Sequence, residues 1–218
     1  MNKSLVVQCI LSLPKTLYFN LKVFPLAVAL RLPVLVNYRV RFIGKLYKGL
    51  ITTKLPSMGM VKISFPYLNS PVTSTIFKTG GKILVEGRAT IQDGCEINVS
   101  GELTLGNNFR CNKGTKIDAK KQVVFGSDVL IGPQCYISDS DGHSLMSLDG
   151  AVINEDEAIK VGRHVWLGRG VFILKGSEIG EDCVVGAASV VNRKIRLSNV
   201  IIAGVPAKVV KESVDWRQ

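Results

Sequence analysis

A six-residue spacing of aliphatic side chains constrains the fold of this chain more than any other feature. In the C-terminal half, a large aliphatic residue recurs at every sixth position without a gap. The positions are Val161, Leu167, Ile173, Ile179, Val185 and Val191. A period of six fits neither an α-helix, at about 3.6, nor a strand, at about 2. It is typical of a parallel β-helix in which each side of a triangular coil carries one hexapeptide.

The same phase extends back to residue 85. Equivalent positions begin at Val85, Leu105 and Phe125, so that one coil takes 20 residues. The phase fails after Ile137 and returns in register at Val161. Solenoids accept insertions as loops on one face, which is often the binding face. We therefore predict an active-site loop at about 138–159.

Three segments follow from this pattern in a chain of 218 residues, a length that suits one domain with an appendage. Residues 1–58 are apolar, basic and predicted to be partly helical. Residues 59–211 are predicted to form the β-helix domain, and residues 212–218 a C-terminal tail.

The net charge of +11 lies entirely in the N-terminal part of the chain. Residues 1–85 contain twelve Lys or Arg and no Asp or Glu. Two compatible interpretations remain: the segment caps the first coil, as solenoids require, or its basic apolar face rests on an anionic membrane. No recognised nucleic-acid motif accompanies the charge, and nucleic acid is not an expected partner. No uncharged apolar run reaches the ~20 residues that span a bilayer. We expect a cytoplasmic protein, either free or peripheral on the inner face of the membrane.

The five cysteines are predicted to be structural. Cys95, Cys111, Cys135 and Cys183 occupy packing positions of the repeat, where Cys acts as a small hydrophobe. No C-x-x-C pair occurs, and no metal site is expected.

The predicted loop contains one of only two histidines, His143. Histidine is the most frequent general base near neutral pH. Asp139 and Asp141 precede it and are expected either to orient His143 or to bind the acceptor. The loop also holds six acids and no Lys or Arg, which disfavours an anionic acceptor.

Three stretches give the chain a resemblance to a known family. Val165-Trp166-Leu167-Gly168, the Asp-x-Asp-x-His loop before it and the run 203–208 after it resemble the hexapeptide-repeat acyltransferases. Parts of the N-terminal segment are similar to a subgroup from bacterial polysaccharide gene sets. The resemblance implies a left-handed β-helix, a homotrimer and acetyl-CoA bound in the groove between subunits.

The resemblance also implies roles for individual residues. His143 matches the general base, and Trp166 matches a tryptophan near the acceptor pocket. The positions that match the acetyl-CoA site are Gly168, Arg169, Ala187, Asn192, Arg193 and Lys208. Asn192 stands where the family usually has Thr, and Arg169 replaces a residue that is commonly small.

The expected function is transfer of acetyl from acetyl-CoA to a hydroxyl of a sugar or cell-surface polysaccharide precursor. Alternatives are N-acetylation of an amino sugar and O-acetylation of a small molecule such as an antibiotic. A zinc carbonic anhydrase on the same fold needs three histidine ligands, and this chain has two histidines. A non-catalytic scaffold is disfavoured by the position of His143 with Trp166.

Overall fold

The structure is a computed structural model that describes residues 3–54, 56–65 and 74–217. The parts of the predicted segments at 1–2, 55, 66–73 and 218 lie outside the described residues. Over the described residues, the prediction of an all-β parallel β-helix with a partly helical N-terminal segment is confirmed.

Two helices precede the strands, α1 (Lys3–Val23) and α2 (Leu26–Ala29). The first strands are β1 (Val34–Val36), β2 (Arg41–Gly44), β3 (Ile51–Thr53), β4 (Val61–Ile63), β5 (Ile76–Thr79), β6 (Lys82–Val85), β7 (Ala89–Ile91), β8 (Glu96–Val99), β9 (Glu102–Leu105), β10 (Phe109–Cys111), β11 (Lys116–Ala119) and β12 (Gln122–Phe125). They are followed by β13 (Leu130–Ile131), β14 (Tyr136–Ser138), β15 (Ile159–Val161), β16 (Trp166–Leu167), β17 (Phe172–Leu174), β18 (Glu178–Ile179), β19 (Val184–Val185), β20 (Val190–Val191), β21 (Lys194–Ile195), β22 (Ile201–Gly204) and β23 (Ala207–Lys211).

The strands form three sheets, one on each side of the coil. Sheet A has the order β1-β4-β7-β10-β13-β16-β19-β22-β23, sheet B the order β2-β5-β8-β11-β14-β17-β20, and sheet C the order β3-β6-β9-β12-β15-β18-β21. Neighbouring strands are parallel, except that β23 returns antiparallel to β22. Each coil thus passes through sheets A, B and C in turn, which we use to name the corners A/B, B/C and C/A.

The register explains why the six-residue spacing predicts the core. Ile97, Ile117 and Ile137 pair directly in sheet B, 20 residues apart. The aliphatic side chains of this phase are buried inside the prism. Each fully buried Ile or Leu contributes about 1.5–3 kcal/mol relative to exposure, so that stacked coils stabilise one another through one continuous core.

The parallel strands begin N-terminal to residue 59. β1, β2 and β3 pair with β4, β5 and β6, which places a complete coil within residues 34–53. The three sheets therefore contain strands from both sides of the predicted boundary between residues 58 and 59. The boundary between the two segments remains a prediction. Helix α1 packs on β1, and Phe19 stacks on Phe42 with ring centroids 4.9 Å apart. Neither helix in the described part of the chain combines the length and the hydropathy needed to cross a membrane.

Candidate active site

The predicted loop leaves the prism at a B/C corner, and closed corners of the same column show what it replaces. The amide N–H groups of Ser100 and Gly101 donate to Ala119 O, and Glu102 N donates to Lys121 O. Each closed corner is thus tied to the backbone carbonyls of the next coil. In the coil after residues 119–121, the chain leaves β14 at Ser138 and enters β15 only at Ile159.

The side chain of Asp139 supplies the acceptors that this open corner lacks. Its two carboxylate oxygens accept hydrogen bonds from the backbone amides of Lys120, Lys121 and Gln122 at 2.8, 2.8 and 2.6 Å. Asp139 is fully buried. Bonds to a charged acceptor are the stronger kind. Asp139 therefore anchors the base of the loop, and its burial does not fit our expectation that it contacts the acceptor or orients His143.

Two side chains that the sequence did not single out, Asn154 and Lys175, hold the loop. The Asn154 amide donates to Asp141 Oδ2 at 2.8 Å and to His143 O at 2.9 Å, while its Oδ1 accepts from Leu145 N at 2.6 Å. Lys175 Nζ donates to Asn154 O at 2.9 Å and lies 2.7 Å from Asp141 Oδ2. The only sequence signal for Lys175 is its place in the next coil, opposite a run of acids.

Asp141 is half-exposed and ion-paired. Hydrogen bonds from Lys175 and then Asn154 lower the pKa of its carboxyl below the ordinary 3.8. Asp141 thus remains an anion at neutral pH and helps to fix the backbone around His143. Lys175 and Asn154 both contact Oδ2, and Asp141 also lines a cavity on the sheet B side of the loop, so that both roles expected for Asp141 stay predictions.

His143 is exposed on this loop. Among residues 3–54, 56–65 and 74–217, no side chain is hydrogen-bonded to its ring. The backbone carbonyl of His143 is held by Asn154, whereas the imidazole is left available to an incoming molecule.

Lysines from neighbouring coils partly neutralise the acids of the loop. Lys120 Nζ lies 3.3 Å from Asp156, Lys121 Nζ donates to Asp156 O at 2.9 Å, and Lys175 pairs with Asp141. The loop is therefore less anionic in the fold than its own composition indicates, which weakens the argument against an anionic acceptor.

A cavity of about 230 Å³ opens on the sheet B side of the loop. Its walls combine loop backbone, amide and carboxylate groups with one aromatic ring. The lining includes Asn98, Asp118, Tyr136, Ser140, Asp141 and Gly142. The Tyr136 ring has Phe172 5.9 Å away on one side and Lys116 Nζ 5.7 Å from its centroid. The cavity thus combines an aromatic surface with the polar groups of residues 140–142, which directly precede His143 in the chain.

The A/B corner carries the predicted small residues. A Cβ on Gly168 would lie 2.8 Å from Ala187 N, so that only glycine allows the two coils to approach this closely. Ala187 and Arg169 are exposed beside it. The A/B corner therefore carries small residues in successive coils, with the cation of Arg169 beside them.

The other residues matched to the acetyl-CoA site lie elsewhere. Asn192 and Arg193 occupy the B/C corner between β20 and β21, two coils beyond the loop. Lys208 is exposed on β23 of sheet A, opposite Ala203. All three are accessible from solvent.

Trp166 is 40% exposed on sheet A, where the C-terminal tail joins it. The Trp216 ring stacks on His164 at 4.5 Å and lies 6.0 Å from Trp166. His164 is half-buried because Trp216 covers it and Asp182 Oδ1 lies 2.9 Å from its Nδ1. A 290 Å³ cavity beside this cluster is lined in part by Arg110. The repeat pattern stops before the tail and carried no signal for Trp216.

The topology separates these residues into two groups within one chain. His143, Asp141, Asn192 and Arg193 share the B/C corner, whereas Gly168, Arg169 and Ala187 lie at the A/B corner. Sheet A, which carries Trp166, faces away from the B/C corner across the prism. One chain alone therefore does not bring Trp166 to His143.

The structure places four of the five cysteines in the core. Cys95, Cys111, Cys135 and Cys183 are buried and free of disulfides, with Cys95 Sγ 3.8 Å from Cys111 Sγ, whereas Cys9 is exposed. Burial raises the pKa of the Cys135 and Cys183 thiols, which disfavours the nucleophilic thiolate. Within the described residues, no group of three or more His, Cys, Asp or Glu could hold a metal ion.

Known proteins resemble this chain over the coil. Residues 158–193 match the family model described as bacterial transferase hexapeptide (six repeats). The putative lipopolysaccharide biosynthesis O-acetyl transferase WbbJ of Escherichia coli K12 is 32% identical, over 54% of this chain and 76% of WbbJ. The polysialic acid O-acetyltransferase of Neisseria meningitidis is 34% identical, over 58% of this chain and 57% of the relative.

A solved structure shows the same fold over a larger share of the chain. The polySia-specific acetyltransferase NeuO matches with a TM-score of 0.63 and 23% identity, covering 84% of this chain and 76% of NeuO. The match includes residues outside the repeats that the family model covers.

Proposed function

This chain belongs to the hexapeptide-repeat acyltransferases, which fold as left-handed β-helices, and on that premise we propose that it transfers acetyl from acetyl-CoA to a hydroxyl of a sugar or cell-surface polysaccharide precursor. The observation that carries the proposal is the exposed His143 on a loop that Asp139, Asn154 and Lys175 hold at one corner of the coil. The names of the relatives, which refer to O-acetylation of lipopolysaccharide and polysialic acid, favour a hydroxyl over an amine.

His143 is the proposed general base. Its imidazole takes the proton from the acceptor hydroxyl as that oxygen bonds to the acetyl carbonyl carbon. The carbon–sulfur bond breaks, and the imidazolium returns the proton to the departing thiolate, so that charge and atoms balance. A well-placed base of this kind contributes about 10²–10⁴ in rate. A backbone amide at the Gly168 turn is the proposed donor to the carbonyl oxygen.

The cavity beside the loop is the proposed acceptor site. The half-buried Tyr136 ring offers an aromatic surface to a sugar, and Ser140 and Asp141 line the cavity beside it with polar groups. A concave site with one aromatic surface and a few polar groups is the general form of a small-ligand site.

The A/B corner fits the pantetheine arm of acetyl-CoA, the co-substrate that supplies the acetyl thioester. Gly168 lets the two coils approach closely, the small side chain of Ala187 is exposed beside it, and the exposed Arg169 adds a cation for the phosphates. Asn192, Arg193 and Lys208 are the remaining proposed contacts.

A site that uses both corners requires more than one copy of the chain. Since Trp166 and His143 lie on opposite sides of the prism, we propose a homotrimer in which Trp166 of one subunit reaches the loop of the next. Closed cyclic symmetry then builds three identical sites.

The first experiment measures CoA release by the purified protein with neutral glycans, sialylated glycans and amino-sugar nucleotides. We expect turnover with a hydroxyl acceptor and a product whose acetyl group is removed by mild alkali, as for an ester. An alkali-stable acetamide would replace the proposal with the N-acetyltransferase alternative. Failure of every acceptor, together with no binding of CoA, would contradict the proposal itself.

A second experiment tests the shared site. His143→Ala and Trp166→Ala are each expected to be inactive, and co-expressed chains should recover roughly a quarter of wild-type turnover, because one interface in four then has both residues. Mixed trimers without recovery would contradict a site shared between subunits.

A further inference from the structure

Helix α1 has a polar face buried against the coil. Ser12, Thr16 and Asn20, each four residues apart, face strand β1. Thr16 Oγ1 accepts from Val36 N at 3.0 Å and donates to Val36 O at 3.1 Å. Asn20 makes the same exchange with Val34, and Ser12 Oγ accepts from Tyr38 N at 3.0 Å. These side chains hydrogen-bond to the backbone groups at the edge of sheet A, as a neighbouring strand would.

The opposite face of α1 is apolar and exposed. We call it the outer face; its residues are Val7, Ile10, Leu11, Leu17, Tyr18 and Leu21, each 39–65% exposed. They recur at the three- and four-residue spacing that puts side chains on one side of a helix. Leu26 and Leu30, just after α1, are 62% and 68% exposed. Because the buried face already caps the coil, the outer face is not needed for capping.

Cations border this apolar face. A groove of about 690 Å³ between α1 and β2 is lined in part by Lys15, Tyr18, Lys22, Arg41, Lys45 and Tyr47. No Asp or Glu occurs before Glu86. An apolar helix face bordered by cations and tyrosines is complementary to the interface of an anionic bilayer, where Tyr is favoured and each basic residue is attracted to lipid phosphate.

We propose that the outer face of α1 lies in the plane of an anionic lipid bilayer, with Lys22, Arg41 and Lys45 directed to lipid phosphates. The helix lies on the membrane and does not cross it, in agreement with its hydropathy. The arrangement would hold the coil at a surface where lipid-linked glycans are made, but the lipid contact stands independently of the acetyl transfer.

The test is flotation of the full chain with phosphatidylcholine vesicles and with vesicles that also contain phosphatidylglycerol, at low and physiological salt. We expect retention on the anionic vesicles alone, weakened by salt. Leu17→Gln with Leu21→Gln should abolish retention, and Lys22→Gln with Lys45→Gln should lower the partition coefficient by roughly fivefold per charge. Leu197→Gln, an equally exposed leucine at the far end of the prism, is the matched control and should bind as wild type.

Circular dichroism and thermal melting show whether each variant remains folded, and the charge variant tests the proposal independently if the leucine variant does not fold. Equal retention on both vesicle types, absence from both, or normal retention of the leucine variant would overturn the proposal. If the wild type self-associates in the absence of vesicles and the leucine variant does not, the outer face would instead be assigned to contact with a second copy of the chain.

Discussion

Two corners of the same column, at residues 100–102 and 120–122, receive their hydrogen bonds differently. At the first, the amides donate to backbone carbonyls of the next coil. At the second, they donate to the Asp139 carboxylate of the next coil, in which the chain leaves the prism for twenty residues between Ser138 and Ile159. The coil above resumes in register, with Val123 opposite Ile159. A single buried side chain thus allows a regular solenoid to release a loop without losing the bonds beneath it. The predicted active-site loop thus leaves the register of the strands on either side of it unchanged.

The largest effect is expected from His143→Ala. If the open corner exists to present a general base, turnover should fall by about 10²–10⁴, while the melting temperature should not change, because the ring is exposed. Steady-state CoA release and differential scanning calorimetry measure the two quantities. Ser144→Ala is the neighbouring control. Near-normal turnover of the His143 variant would remove this residue from the chemistry.

Asp139→Ala is expected to lower both stability and turnover. The loss of three charge-assisted bonds should cost about 1–3 kcal/mol in the free energy of unfolding, since water can reach the amides of the exposed Lys120 and Lys121. Turnover should fall because the base of the loop is no longer fixed. Urea denaturation measures the stability change.

Glu102→Ala is the matched control for Asp139→Ala, because Glu102 lies at the closed corner and its carboxylate is exposed. It should change stability by less than about 0.5 kcal/mol. Equal effects of the two substitutions would mean that the open corner does not depend on Asp139.

These two corners also show what sequence alone can predict. The phase of Val85 to Val191 predicts the buried face and the bounds of the loop, because each coil pairs with the next at a constant register. It does not predict the role of Asp139, since a carboxylate that replaces backbone carbonyls looks like any acid beside a histidine. The stripe Ser12, Thr16 and Asn20 is readable at helical spacing, yet the surrounding apolar residues dominate the composition of the segment.

The roles of Trp216 and Lys175 were not predicted from the sequence for a different reason. Both act through contacts with residues far away in the chain, His164 and Asp141. Repeat phase carries no information about a tail that folds back on a sheet or about a cation in the adjacent coil. Site residues that depend on such contacts appear only when the coils are stacked.

Asn154→Ala is expected to have a smaller effect than the loss of Asp139. The Asn154 side chain joins Asp141, His143 and Leu145, so its loss should loosen the loop while the coil stays intact. We expect faster amide exchange at Leu145 and a several-fold fall in turnover, with unchanged global stability. Hydrogen exchange followed by mass spectrometry resolves the loop from the coil. Protection of Leu145 equal to that in wild type would show that Lys175 alone positions the loop.

The smallest effect concerns pH. Because the folded pKa of Asp141 is lowered by Lys175 and Asn154, its contribution to loop order is present above the ordinary value of 3.8 and is lost only as pH falls through the folded value. In a His143→Gln background, which removes the imidazole next to Gly142, the amide signals of Gly142 and Leu145 in heteronuclear NMR spectra should therefore remain constant from pH 7 to pH 4 and shift below it. Asp141→Asn should remove that titration, whereas Glu102→Gln at the closed corner should leave it in place. A midpoint between pH 5 and 6 would contradict the ion pair, since a depressed carboxyl pKa cannot produce a transition there.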